Sequence, residues 1–278
     1  MITMRRSSDS DWNRKGLLAL PSTPGETNTQ WLRRAGETQG ILLLGGASLA
    51  DFRARVAQSH LRSDLMPSFW SFAGILEGGE IVHAAPFSYP DAAKVPVENG
   101  IRRLTMSEFD DPKWFPNIAV LHFAKPSTPL LPHIERLKRE RAIVDLPALA
   151  LPWLGFLWGV GQYGNPLLSG TGMPSAAFVE AVHALARIEL TPGLSSSASC
   201  PEALWTSAKW WHGYYATTDD EKSSVRLRTP SGVFATRQRS AAIFDPNDPG
   251  EGASDSPKSP APKRSPARKA ARKSARRR

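Results

Sequence analysis

The chain has 278 residues, with 35 Lys plus Arg against 26 Asp plus Glu and a formal charge of +9. Ten of the basic residues and no acidic one lie between Ser256 and Arg278, which leaves residues 1–255 near neutral, with 25 basic against 26 acidic side chains. The basic isoelectric point therefore describes a tail and not the body, and a single Cys excludes an internal disulfide framework and a cysteine-rich zinc site.

Arg5 and Arg6 are followed by no apolar segment before Gly16, so no secretory leader is expected. Leu146–Val160 is the most apolar stretch, but it is shorter than a bilayer span and carries Pro147 and Pro152. It reads as a buried hairpin or core helix, and no membrane span is expected. The expected location is cytoplasmic, with nucleoid association through the tail.

Residues 1–38 are polar and read as a mostly disordered arm with one turn of helix near Trp31–Arg34. Gly40–Gly45 (GILLLG) is a short buried strand closed by a Gly-Gly turn. Ser48 caps a helix in which Leu49, Phe52, Val56 and His60 repeat at helical spacing while Asp51, Arg53 and Arg55 are expected to face out, and Pro67 ends that stretch. Trp70–Leu76 and Ile81–Ala85 are two strands joined by the turn Glu77-Gly-Gly-Glu80. A strand edge over Ile101–Leu104, a helical turn from Ser107, and a strand over Asn117–Phe123 follow.

Pro132–Ala142 is a charged amphipathic helix. The uncharged Trp-rich stretch after it is partly loop. Pro174 opens a helix over Ser175–Ile188, and a last helix runs from about Pro201 to Trp211. Val225–Arg239 is expected to hold one hairpin. The fold class expected is α+β, a small mainly antiparallel sheet with packed helices. Residues 39–215 form the domain, 216–244 a peripheral extension and 245–278 a disordered basic tail.

The markers GILLLGG, WSFAGILEGGEIVHAA, NIAVLHF and PSAAFVEA, in this order, resemble the circularly permuted papain-like hydrolases related to bacterial cell-wall endopeptidases. The resemblance spans about Gly40 to Trp211. It implies a papain-like fold, a catalytic His on a strand, a polar third member on the next strand, and a nucleophilic Cys at the start of a late helix. In this chain Phe72 stands where the family has His, and Pro174 or Ser175 where it has Cys. His83 falls at or beside the third position. Phe cannot accept a proton from a nucleophile, so the standard mechanism is not available.

Three residues remain candidates for chemistry. Ser175 is a candidate nucleophile at a helix N-terminus, or else a first-turn residue that helps cap the helix. His83 is its candidate base, or else a strand His satisfied at the edge of the core. Cys200, just before a helix, is a candidate thiolate with a lowered pKa, paired with His183 or His212, or else a Cys packed under Trp205. His122 and His133 sit at no ligand spacing and there is no phosphate loop, so no metal or cofactor is expected. Trp153, Trp158, Trp205, Trp210 and Trp211 form either an aromatic wall for a ligand or core and rim.

The tail resembles that of a linker histone. Lys258, Lys263, Arg264, Arg268, Lys269, Arg272, Lys273, Arg276, Arg277 and Arg278 are spaced by Pro, Ala and Ser. Such a segment binds phosphate chains through counterion release without reading sequence. The function expected is a binding or scaffold protein with a papain-like domain lacking standard catalysis, held on nucleic acid by this tail. The alternatives are a hydrolase of amide or ester bonds using Ser175 or Cys200, and a phage or other assembly component contacting DNA.

Overall fold

The computed structural model describes residues 17–19, 23–85, 100–123, 126, 128–140, 145–161, 163–218 and 234–236, with the backbone alone at 17–19, 211–218 and 234–236. In chain order the elements are β1 (Leu17–Ala19), α1 (Asn28–Ala35), β2 (Gly40–Gly45), α2 (Leu49–Ala57), β3 (Phe72–Glu77), β4 (Ile81–Ala84), β5 (Arg102–Thr105), β6 (Asn117–Leu121), α3 (Leu131–Glu140), α4 (Leu146–Trp158), α5 (Pro174–Leu185), α6 (Pro201–Thr218) and β7 (Phe234–Thr236). Five strands form one antiparallel sheet in the order β5-β4-β3-β2-β6. With six α-helices among the described residues, the class is α+β.

The central strand β2 explains its own composition. Ile41 and Leu43 face one helical layer, with Ala73, Ile75, Ala119 and Leu121, against Ile134 and Leu137 of α3 and the apolar side chains of α5. Leu42 and Leu44 face the other, with Phe72, Leu76, Ile118 and Val120, against α1, α2 and α4. A strand covered on both faces needs no polar alternation, so it reads as a continuous apolar run. The connection from β3 to β4 uses Gly78 and Gly79 at φ of 63° and 72°, a left-handed conformation that glycine adopts without strain.

Several expectations require correction. The arm assigned to residues 1–38 contains a full helix, α1, with Trp31 and Leu32 wholly buried. Thr27 and Gln30 form a capping box, and Gly36 closes the helix in the left-handed region. Its polar composition belongs to the outer face, where Arg34 pairs with Glu26 at 2.7 Å and holds that carboxyl down to about 2. The uncharged stretch is helical over Leu146–Trp158 and irregular over the described residues from Gly159 to Met173, in keeping with the partly loop reading. Asp145 caps the helix, Pro147 sits in the first turn, and the helix continues through Pro152.

Most of Val225–Arg239, where one hairpin is expected, lies outside the described residues; within it, Phe234–Thr236 lies parallel to Leu17–Ala19. The last helix runs on to Thr218, across the boundary expected at residue 215. The basic tail lies outside the described residues. Among the described residues no helix is long and apolar enough to cross a membrane.

Candidate functional site

Two of the candidate residues, Ser175 and His83, lie on the α5 side of the sheet. Pro174 supplies the first position of α5, where its missing N–H is no loss, and Met173 offers no side-chain cap. Ser175 does not cap the helix either. Its Oγ instead accepts a hydrogen bond from the Ala73 N–H of β3 at 3.3 Å. The first turn is enclosed on another side by the segment before α6, where Gly172 N–H donates to Ser197 O and Met173 N–H to Ser199 O. A Cβ on Gly172 would lie 2.2 Å from Ser199 O, so only glycine lets these backbones approach.

His83 pairs in register with Ile75, which places it on the same face of the sheet as Ala73 and α5. Its Nε2 is 2.8 Å from Oε2 of Glu77 on the neighbouring strand β3, while its buried Nδ1 has no hydrogen-bond partner among the described residues. A carboxylate accepts only, so Nε2 carries the proton in this pair.

Phe72 lies on the opposite face, with its ring 5.3 Å from that of Phe109. The position matched to the family's His therefore points away from Ser175, whatever residue type stands there.

Cys200 belongs to that second core as well, with Met173, Trp153 and Leu157, and not under Trp205, which packs in the first. Burial pushes its thiol up to about 12, the reverse of the lowering expected at a helix start, because desolvation of a thiolate outweighs the nearby backbone donors. His183, offered as its partner, donates from Nδ1 to Val179 O at 2.8 Å, and burial pushes it down to about 4. His212 lies where the backbone alone is described. Of the tryptophans, Trp153 and Trp205 are core, Trp158 and Trp210 are exposed, and the Trp211 side chain lies outside the described residues.

The side chains of Ser175, His83 and Cys200 are 0%, 2% and 1% exposed. A nucleophile must meet both its base and its substrate.

Sequence reasoning missed a buried polar network that joins α2, the strand entry and α6. Asp51 accepts from Ser48 Oγ and from Ser71 Oγ, both at 2.6 Å. Arg55 donates to Ser68 O, and burial pushes its guanidinium down to about 10 against the opposing pull of Asp51. Ser68 Oγ donates to Glu202 Oε2 at 2.7 Å, and the Glu202 N–H donates to Gln58 Oε1 at 2.9 Å. On α5, buried Glu180 accepts from Thr191 Oγ and from Ser199 Oγ. Only the Ser48-x-x-Asp51 cap carried a local signal for any of this. Among the described residues no group of three or more His, Cys, Asp or Glu could hold a metal ion. No family model matches the chain, and neither a curated protein nor a solved structure matches it.

Proposed function

We propose that the chain is a non-catalytic binding or scaffold protein, with a body related in layout to papain-like hydrolases and a basic tail that attaches it to nucleic acid. The observation that carries the first part is the engagement of all three candidate groups elsewhere: Ser175 with Ala73 N–H, His83 with Glu77, and Cys200 sealed in apolar core. The papain-like layout is supported by element order and by the contact of the first turn of a late helix with β3, although Phe72, at the position of the family's His, faces away from that helix. The second part rests on Lys258–Arg278, ten cations free of acidic or aromatic residues. These favour phosphate binding without base stacking. In this reading the protein acts in the cytoplasm, at the nucleoid.

The test is duplex-DNA binding by the full chain and by the chain ending at Asp255, measured over a salt series. Binding of the full chain is expected to weaken steeply as salt rises, and that of the truncated chain to be largely lost. Equal binding by both would sink the assignment of nucleic acid to the tail.

A further inference from the structure

We infer that the exposed face of α4 is a docking surface for an anionic lipid membrane, which the protein meets from one side without spanning it. This goes beyond nucleic-acid attachment and rests on a different surface, with the basic tail as its second contact.

The helix α4 is apolar on its outer face as well as its inner one. Leu146, Leu149, Ala150, Trp153 and Leu157 are buried, yet Leu151 and Trp158 are 60% and 56% exposed. Their spacing, with Gly155 between them, places all three on one stripe. A Cβ on Gly155 would lie 2.8 Å from Tyr163, so the exposed Tyr163 ring covers the helix midway between Leu151 and Trp158. Exposed Val160 follows directly. Arg53 of α2 donates to Leu157 O at the end of α4, and exposed Leu49 stands one turn before Arg53. The apolar row thus runs along α4 into the loop after it, with the Arg53 guanidinium at its end, and an exposed apolar surface of this kind marks an interaction site.

Three observations select a lipid surface as the occupant. There is no charged residue from Leu146 to Val179, so the stripe can enter an apolar phase without burying a charge of its own. Trp158 and Tyr163 place polar tips beside aliphatic groups, the arrangement that suits the boundary between headgroups and acyl chains. The tail supplies ten cations complementary to anionic headgroups. The chain from Thr236 to Ser256 can extend to about 70 Å. That exceeds the dimensions of a body whose radius of gyration is roughly 17 Å, so tail and patch can engage one plane. Stable peripheral attachment takes two such signals, an apolar insertion and a basic segment. A second copy on the same patch would instead bring two like-charged tails together.

The experiment is co-sedimentation of the full chain with phosphatidylglycerol vesicles and with phosphatidylcholine vesicles, at low and high salt, beside duplex-DNA binding. The parent is expected to favour phosphatidylglycerol and to keep part of its binding at high salt, where the contribution of the tail is screened. The Leu151→Asp/Trp158→Asp variant is expected to lose that salt-resistant part, on the order of tenfold, with DNA binding unchanged. Tyr163→Asp, placed after the helix, repeats the test without touching α4. Vesicle binding by these variants equal to the parent overturns the inference. So does equal loss of DNA binding, which would make the patch part of the nucleic-acid surface. So does a parent that is a dimer in solution and becomes a monomer in the variants, which would make a second copy the occupant.

Discussion

Ser175 Oγ accepts from the Ala73 N–H across 102 residues of sequence, and this bond fastens the first turn of α5 to β3. The hydroxyl is wholly buried and serves as an acceptor for backbone. Ser175→Ala leaves a buried N–H without its partner and is expected to lower stability by about 1–3 kcal/mol. Turnover of peptide and ester substrates is expected to stay at background in the parent, in Ser175→Ala and in His83→Ala. Ordinary turnover by the parent that either substitution abolishes would establish a live site and replace the binding-protein reading.

Phe72 tests the same point from the other face. Restoring the family's residue by Phe72→His puts the imidazole among Phe109, Leu44 and Val120, away from Ser175. It is expected to create no hydrolytic activity and to lower stability by roughly 2–4 kcal/mol, since it removes packed ring surface and buries a polar one. Urea unfolding and an ester assay measure the two effects. A gain of turnover would mean that the strand can present position 72 to α5.

The strands were the legible part of this fold. The run Ile41–Leu44 and the turn at Gly78-Gly79 announce a buried strand and a hairpin because both signals are local. Trp31 and Leu32 were not legible, since two apolar residues in a polar stretch become a core face only once the sheet is there to receive them. The site followed the same division. His83 could be placed on the strand next to Phe72, but the face each occupies depends on register, and one residue of offset reverses it. The network of Asp51, Ser71, Ser68 and Glu202 depends on contacts across as many as 134 residues and has no sequence signature.

Cys200 gives a direct chemical readout. With its thiol buried and pushed up to about 12, almost none is thiolate at neutral pH. Under native conditions a disulfide-exchange reagent is expected to label the chain far more slowly than a free thiol, and in urea at the unfolded rate. Native labelling at the rate of an exposed cysteine would show that the packing against Met173 and Trp153 is not maintained.

His183 sets a pH dependence whose sign follows from its burial. Desolvation disfavours the imidazolium and pushes the ring down to about 4, from 6.5 in the unfolded chain, although the bond to Val179 O opposes this. Between those values the unfolded state binds more protons than the folded one, so acid favours unfolding. The contribution is fully present above about pH 6.5, declines as pH falls, and levels off once the folded ring also protonates near pH 4. A shift of this size corresponds to roughly 3 kcal/mol across the window. Glu180, one turn away on α5, works in the opposite sense: burial pushes its carboxyl up, so the folded state takes a proton there first and gains on the acid side. Urea midpoints of the parent, His183→Gln and Glu180→Gln, measured between pH 4 and pH 7, separate the two. His183→Gln is expected to flatten the loss of stability toward acid, and Glu180→Gln to steepen it. The slopes decide the matter even where a substitution lowers stability throughout, and an unchanged slope in His183→Gln would mean that the ring titrates alike in both states.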